Sequence, residues 1–112
     1  DLARVDALLA VGQRAEALRR LDAKFLDAFP RGVELRVTRG ELRLEAGRPA
    51  EAKRDFDAAL PSVRDELAER ALYGRAVSRA RLGDRAGARD DIKTYLEKYP
   101  QGKFAEKARG GT

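Results

Sequence analysis

The sequence predicts an all-α fold of three antiparallel helical hairpins, stacked as a solenoid and closed by a short C-terminal capping helix. Apolar residues recur at helical spacing along most of the chain. Only 6% of the residues are aromatic, so alanine, leucine and valine must fill much of the core. A glycine, an alanine five residues later and a large apolar residue nine residues later occur together three times, at offsets of 35 and 36 residues. The three copies are Gly12, Ala17 and Leu21; Gly47, Ala52 and Phe56; and Gly83, Ala88 and Ile92.

The composition narrows the range of functions. The chain has 112 residues, enough for one domain, and 38% of them are charged. Cysteine and histidine are absent, which excludes disulfides, thiolate nucleophiles, imidazole bases and zinc sites of the usual kind. The two serines, Ser62 and Ser78, have no base to activate them. We therefore expect no enzymatic activity, no catalytic residue, no metal site and no cofactor.

Charge and hydropathy add two further expectations. The net charge of +5 hints at an anionic partner, but 19 acids are spread among 24 bases, so we interpret most of the charge as a solvated surface. The longest apolar run, residues 7–11, is too short to cross a bilayer, so we expect no membrane insertion by this segment.

The chain opens at Asp1 in the middle of a helical pattern, which indicates a segment of a longer protein.

Residues 1–32 form the first predicted repeat. The apolar spacing predicts a helix over residues 2–11, which Gly12 ends by accepting a left-handed backbone. A second helix is predicted over residues 14–28, and Pro30 stops the chain soon after it. The residues of this second helix that we expect to face the core are Ala17, Leu18, Leu21 and Phe25.

Residues 33–62 form the second predicted repeat, and its first helix, over residues 33–46, is the most informative. Two apolar stripes lie on opposite sides of this helix. One stripe consists of Val33, Val37, Gly40 and Leu44, and the other of Leu35, Leu42 and Ala46. A helix with two opposed apolar stripes must pack on two sides, as in the middle of a stack. Gly47 ends it, and Pro49 starts the next helix, where a proline costs no hydrogen bond.

Residues 63–100 form the third predicted repeat. After the break at Pro61 one helix extends to about residue 82, and a second follows the turn at Gly83. Pro100 and the glycine two residues later stop the second helix.

A short helix over residues 103–109 is expected to cover the open end of the third repeat through Phe104 and Ala108, because a solenoid needs such a cap. It completes a single domain of residues 1–109. Residues 110–112, two glycines and a threonine, are predicted to form a flexible tail.

The repeat resembles a known family. Its defining spacing is shared by Gly40, Gly47, Ala52, Phe56, Ala59 and Leu60, with Pro100 at the place where a repeat ends. The chain is therefore similar to tetratricopeptide repeat proteins over nearly its whole length. The first copy matches only at Gly12, Ala17 and Leu21. The resemblance implies a right-handed solenoid and a non-enzymatic scaffold.

The joint between the third repeat and the cap carries a more specific resemblance. The stretch from Tyr95 to Ala108, with its tyrosine–proline pair, small residue, aromatic and alanine, is similar to joints in tetratricopeptide proteins of the bacterial cell envelope. It implies a bacterial origin and favours a periplasmic location, with the cytoplasm as the alternative.

In this family the first helices of the repeats line a concave groove that holds a peptide or domain of a protein partner. Carried over to this sequence, the resemblance implies a groove lined by Asp6, Leu9, Glu34, Val37, Glu41, Leu44, Glu45, Arg70, Tyr73, Val77 and Arg81. Such a groove is acidic toward its N-terminal half and basic toward its C-terminal half. It favours a partner segment of mixed charge, with Tyr73 and Val77 as apolar anchors.

The chain departs from the family at a repeated position. Arg4, Arg39 and Arg75 stand where the family usually buries a leucine. We expect a structural role, in which each guanidinium reaches a carboxylate such as Asp55 or Asp91, because the planar fork of arginine suits such pairs. The alternative is a basic strip for an anionic ligand.

Two other functions stay open. One is the binding of nucleic acid or another polyanion through the arginines of the third repeat, at positions 70, 75, 79, 81, 85 and 89. It is less favoured, because Arg75 and Arg79 face away from Arg70 and Arg81 by helical angle. The other is self-association into a homo-oligomer through an exposed edge of the first hairpin.

Overall fold

A computed structural model describes residues 2–110, which fold into seven α-helices and one 3₁₀ turn and confirm the all-α solenoid of helical hairpins. Helices α1 and α2, α3 and α4, and α5 and α6 pack as successive hairpins, and α7 packs on α6. Their bounds are α1 Leu2–Ala10, α2 Arg14–Asp22, the 3₁₀ turn Leu26–Ala28, α3 Gly32–Glu45, α4 Pro49–Ala59, α5 Asp65–Arg81, α6 Arg85–Lys98 and α7 Ala105–Arg109. Asp1 and, from the predicted tail, Gly111 and Thr112 lie outside the described residues.

A glycine at each hairpin turn allows the chain to reverse. Gly12, Gly47 and Gly83 have φ angles of 79°, 77° and 86°, in the left-handed region that side chains disfavour. The pattern of three glycines in phase therefore marks the three hairpin turns, as predicted. Within residues 2–110, none of the helices combines the length and the apolar character needed to cross a membrane.

Helix α3 packs on both of its sides, as its two apolar stripes predict. Leu35 and Leu42 belong to a core cluster with residues of α1 and α2. On the other side, Val37 packs with Phe56 of α4 and Ala71 of α5. The ends of the two stripes are looser, since Val33 and Ala46 are exposed. Helix α3 is thus the element that joins the first hairpin to the rest of the solenoid.

The prediction that the second helix extends to residue 28 is wrong, because α2 ends at Asp22. A guanidinium from α3 explains the early end. Nη1 of Arg39 donates to the carbonyl oxygens of Leu21 and Lys24, both at 3.4 Å, and a longer α2 would need those acceptors for its own next turn. The chain instead forms the 3₁₀ turn, which buries Leu26 and leaves Phe25 71% exposed rather than facing the core.

The short helix α7 covers the end of the third hairpin mainly with small side chains. Ala105 and Ala108 are buried against Leu72 of α5 and Tyr95 of α6. Helix α7 begins at Ala105, two residues later than predicted, because the chain before it forms turns that place Phe104 beside α5.

Candidate functional site

A groove of about 800 Å³ lies between α3, α5 and the segment that leads into α7. Seven of the eleven residues predicted for the groove line it: Glu41, Leu44, Glu45, Arg70, Tyr73, Val77 and Arg81. They come from the last two turns of α3 and from successive turns of α5, where residues three and four apart share one face. The two helices therefore bring these side chains to one surface.

The remaining predicted residues lie elsewhere. Val37 is fully buried between α3, α4 and α5, so its assignment to the groove surface is wrong. Its helical angle is compatible with lining, but α5 packs closely enough to cover it. Glu34 does not line the groove and accepts hydrogen bonds from Arg31 at 3.0 and 3.2 Å. Asp6 is bonded to the same guanidinium, and Leu9 packs on the first core cluster.

The groove has a boundary that the sequence reasoning missed. Lys103 and Phe104 before α7, and Lys107 within it, line the groove opposite α3, and Arg14 of α2 lines its other end. The ring of Phe104 stacks on Tyr73 with centroids 4.5 Å apart and planes 2° from parallel. The apolar spacing predicts that Phe104 belongs to the cap. The spacing does not indicate that the same ring also faces the groove.

A hydrogen-bond network around the buried side chain of Tyr95 fixes this boundary. The Tyr95 hydroxyl donates to Oε2 of Glu69 at 2.6 Å and accepts from the backbone N–H of Phe104 at 2.8 Å. The same Glu69 oxygen accepts from the N–H of Lys103 at 2.7 Å. Burial, together with the bond to Glu69, raises the pKa of Tyr95 to about 12, so the hydroxyl remains a donor to Glu69 even in mildly alkaline solution. The segment that carries Phe104 is thereby held to α5 and α6.

Ion pairs neutralise the acidic residues of α3 in the groove. Glu41 accepts hydrogen bonds from Arg70 of α5 at 2.7 and 3.0 Å. Glu45 accepts two from Arg14 of α2, both at 2.7 Å. The half of the groove that was predicted to be acidic therefore presents paired carboxylates.

The repeated arginines have the structural role that we expected at the second and third copies. Arg39 is 8% exposed and bonds Asp55 through Nη2 at 2.7 Å, with a second bond from Nε at 3.0 Å. Arg75 bonds Asp91 in the same manner at 3.0 and 3.1 Å. A guanidinium in such a pair is already occupied, which argues against the basic strip for an anionic ligand.

Ion pairs also reduce the number of arginines in the third repeat that are available to bind a polyanion. Arg70 is bonded to Glu41, and Arg75 and Arg79 are both bonded to Asp91. Of the six arginines considered for polyanion binding, those at positions 81, 85 and 89 make no ion pair in the described part of the chain.

Comparison with known sequences identifies the family. The sequence model of the tetratricopeptide repeat matches residues 2–61 and again residues 37–103. No curated protein and no solved structure matches the chain. Tetratricopeptide repeats generally mediate protein–protein interactions and typically form scaffolds rather than enzymes. The repeat spacing, the three glycine turns and this match agree, and the chain belongs to the tetratricopeptide repeat family.

Proposed function

We propose that this domain is a non-enzymatic scaffold that binds a segment of a protein partner in the groove between α3, α5 and α7. One observation carries the proposal. The groove exposes part of four large apolar side chains side by side in a concave surface: Leu44, Tyr73, Val77 and Phe104. Apolar side chains that converge in a concavity with polar groups around them are typical of a binding site.

The groove is also held in shape before a partner arrives. The pair between Arg70 and Glu41 joins α5 to α3, and Nη1 of Arg81 donates to the Leu44 carbonyl oxygen at 2.8 Å. The Tyr95 network fixes the opposite boundary. A site whose helices are already in place loses less conformational entropy on binding, which favours recognition of a flexible peptide.

A peptide selection tests the proposal directly. We would select binders from a random-sequence peptide library on the immobilised domain and measure their affinities by fluorescence anisotropy. Val77→Gln places a polar group in the middle of the groove, so we expect affinities to fall roughly tenfold or more. Ala80→Gln, at an exposed position that also lines the groove, gives a second variant with little risk to the fold.

The matched control is Val11→Gln. Val11 is 71% exposed and lies in the turn between α1 and α2, outside the groove. None of the three substitutions changes the charge of the domain, so the comparison does not depend on the charge of the peptide. If no peptide is selected, or if the groove variants bind the selected peptides as well as the control does, the proposal is wrong.

We further propose that the domain acts in the bacterial cell envelope. The support is the joint from Tyr95 to Ala108, which resembles joints in tetratricopeptide proteins of the bacterial cell envelope. Fractionation of cells of the source organism, with an antibody raised against the domain, tests this location. Recovery in the cytoplasmic fraction would contradict it.

A further inference from the structure

We propose that the partner segment is acidic and amphipathic, with apolar side chains that enter the groove and carboxylates that meet a set of cations around it. This inference rests on the proposed function, since it concerns the same groove. It differs from the mixed-charge partner that the sequence favours. The reason is that the structure pairs the acidic residues of α3 and leaves the basic residues near α7 unpaired.

The apolar surface continues beyond the groove. A second depression of about 360 Å³ lies between α5, α6 and α7. Tyr73, Val77 and Ala80 line both the groove and this depression, and Ile92 and Ala88 extend the apolar surface toward α6. One continuous surface thus runs from α3 across α5 to α6, and it can receive apolar side chains along one face of a peptide.

Five exposed cations surround this surface: Arg81, Lys103 and Lys107 at the groove, and Arg85 and Arg89 at the depression. None of the five makes an ion pair with a described acid. Arg81 donates to a backbone carbonyl, and the ammonium of Lys103 lies 5.6 Å from the centre of the Phe104 ring.

The acids that line the same surface do not balance these cations. Glu41 and Glu45 are already paired with arginines, and Glu66 is the remaining acid among the described lining residues. Five free positive charges therefore face one free negative charge. Complementary charge at the edge of an apolar site raises the association rate and selects the partner.

The shape and chemistry of the surface favour a peptide over a nucleic acid. Proteins that hold single strands present free aromatic faces on which bases stack. Here the two rings are stacked on each other, and the rest of the apolar part of the surface consists of aliphatic side chains such as Leu44, Val77 and Ile92. Aliphatic side chains in a concavity match apolar residues of a peptide better than they match a sugar–phosphate chain.

The probe is the random-sequence peptide library itself, and the readout is the composition of the peptides that bind. We expect the wild-type domain to enrich glutamate and aspartate together with leucine-like residues, relative to the unselected library. The charge-reversal variant Lys103→Glu/Lys107→Glu should lose that acidic enrichment. Its affinity for peptides selected on the wild type should fall roughly tenfold, the effect of a few exposed charge contacts.

The matched control is Lys93→Glu/Lys98→Glu, which changes the net charge equally. Both lysines are exposed on α6 and line neither the groove nor the depression. The control should keep the acidic enrichment. Equal losses in the two variants would mean that overall charge, rather than this surface, selects the peptides, and would overturn the inference.

Two other results distinguish this inference from the proposed function. If the selected peptides depend on Val77 but carry no excess of acid, the groove binds peptides and the acidic partner is wrong. If no selected peptide depends on Val77, the proposed function itself fails, and the inference fails with it. A single-stranded DNA oligonucleotide that binds more tightly than the selected peptides, and is lost in Lys103→Glu/Lys107→Glu, would make this a polyanion site instead.

Discussion

The first hairpin and the two that follow it hold their helices together in different ways. In the second and third hairpins, a buried aspartate of the second helix pairs with an arginine of the first: Asp55 with Arg39, and Asp91 with Arg75. The positions 35 residues before Arg39 and Asp55 are Arg4 and Arg20, which have the same charge and cannot form this pair. Arg20 lies 3.5 Å from Glu16 of its own helix instead. At these two positions the first hairpin therefore cannot form the ion pair that the other two contain.

Ion pairs to the second hairpin take over part of that role. Asp22 of α2 bonds Arg43 and Arg48 at 3.0 and 2.8 Å, and Arg14 bonds Glu45. The side chains of Arg14 and Glu45 are 46% and 51% exposed, whereas that of Asp55 is 2% exposed. Exposed pairs contribute little and are screened by salt, whereas a buried charge that loses its partner is costly. The later hairpins are fixed by buried charge, and the first is attached largely by its apolar contacts with α3.

The largest expected loss of stability follows substitution of the buried aspartate that two arginines share. Asp55 is shared by Arg39 and Arg43, so Asp55→Ala leaves the buried guanidinium of Arg39 without a carboxylate, whereas Arg43 keeps Asp22. We expect the free energy of unfolding to fall by about 3–5 kcal/mol. Asp91→Ala should cost less, about 1–3 kcal/mol, because Arg75 is more exposed and also bonds Asp57. Urea unfolding of both variants measures the difference.

The double substitution Arg39→Met/Asp55→Leu is the control for this comparison. It removes both charges and puts apolar side chains in their place, so it should recover much of the stability lost in Asp55→Ala. Equal losses in Asp55→Ala and Asp91→Ala would show that burial of the arginine does not set the cost.

The core shows a second difference between the hairpins. In the second hairpin the Phe56 ring packs against Gly40, where an added Cβ would lie 2.8 Å from the ring. At the corresponding positions of the first hairpin stand Val5 and Leu21, which belong to one core cluster. The glycine is thus replaced by a larger residue and the phenylalanine by a smaller one. The two hairpins fill the same place with different divisions of volume.

Exchange of these pairs tests whether volume alone matters. We expect Gly40→Val to cost about 1–3 kcal/mol through overpacking, and Phe56→Leu about 1–2 kcal/mol through the space it leaves. The double variant Gly40→Val/Phe56→Leu reproduces the pair of the first hairpin and should lose less than the sum of the two single losses. Thermal unfolding measures all three. Strict additivity would contradict complementary packing at this place.

The turns and the repeat order of the fold could be predicted from local patterns. Glycines that adopt a left-handed backbone interrupt the helices at a constant period, and a proline can start a helix but not continue one. The early end of α2 could not be predicted in this way. It depends on Arg39, which lies 18 residues after Leu21 in the sequence and reaches its carbonyl only in the folded chain.

The candidate site shows the same limit. The resemblance to the repeat family places Glu41, Tyr73 and Val77 in one groove, but it does not show that α5 packs closely enough to bury Val37. Nor does it show the partner of an acid, since Glu41 and Arg70 are 29 residues apart. The charge of the groove depends on such pairs. The predicted acidic half is for this reason the part of the site that the structure changes most.

The smallest expected loss of stability comes from the exposed ion pairs that join the first hairpin to the second. Burial raises the pKa of Asp22, but hydrogen bonds from Arg48 and Arg43 outweigh it and leave the pKa below its usual value. A carboxyl with a lowered pKa in the folded state contributes stability that is complete above the unfolded pKa, about 3.9, and is lost as the pH falls through the folded pKa. Asp22→Asn should therefore cost about 1 kcal/mol or less at neutral pH.

The part of the chain that loses stability in Asp22→Asn is as informative as the size of the loss. Hydrogen exchange should become faster in α1 and α2 of Asp22→Asn and stay unchanged in α6, because Asp22 joins the first hairpin to α3 and the turn after it. Asp90→Asn, at an exposed position of α6 that makes no ion pair within residues 2–110, is the matched control. The difference between wild type and Asp22→Asn should begin to shrink below about pH 4 and disappear below the lowered pKa of the folded state, where Asp22 is protonated in both states. A difference that persists there would mean that the side chain of Asp22 acts through packing and not through its charge.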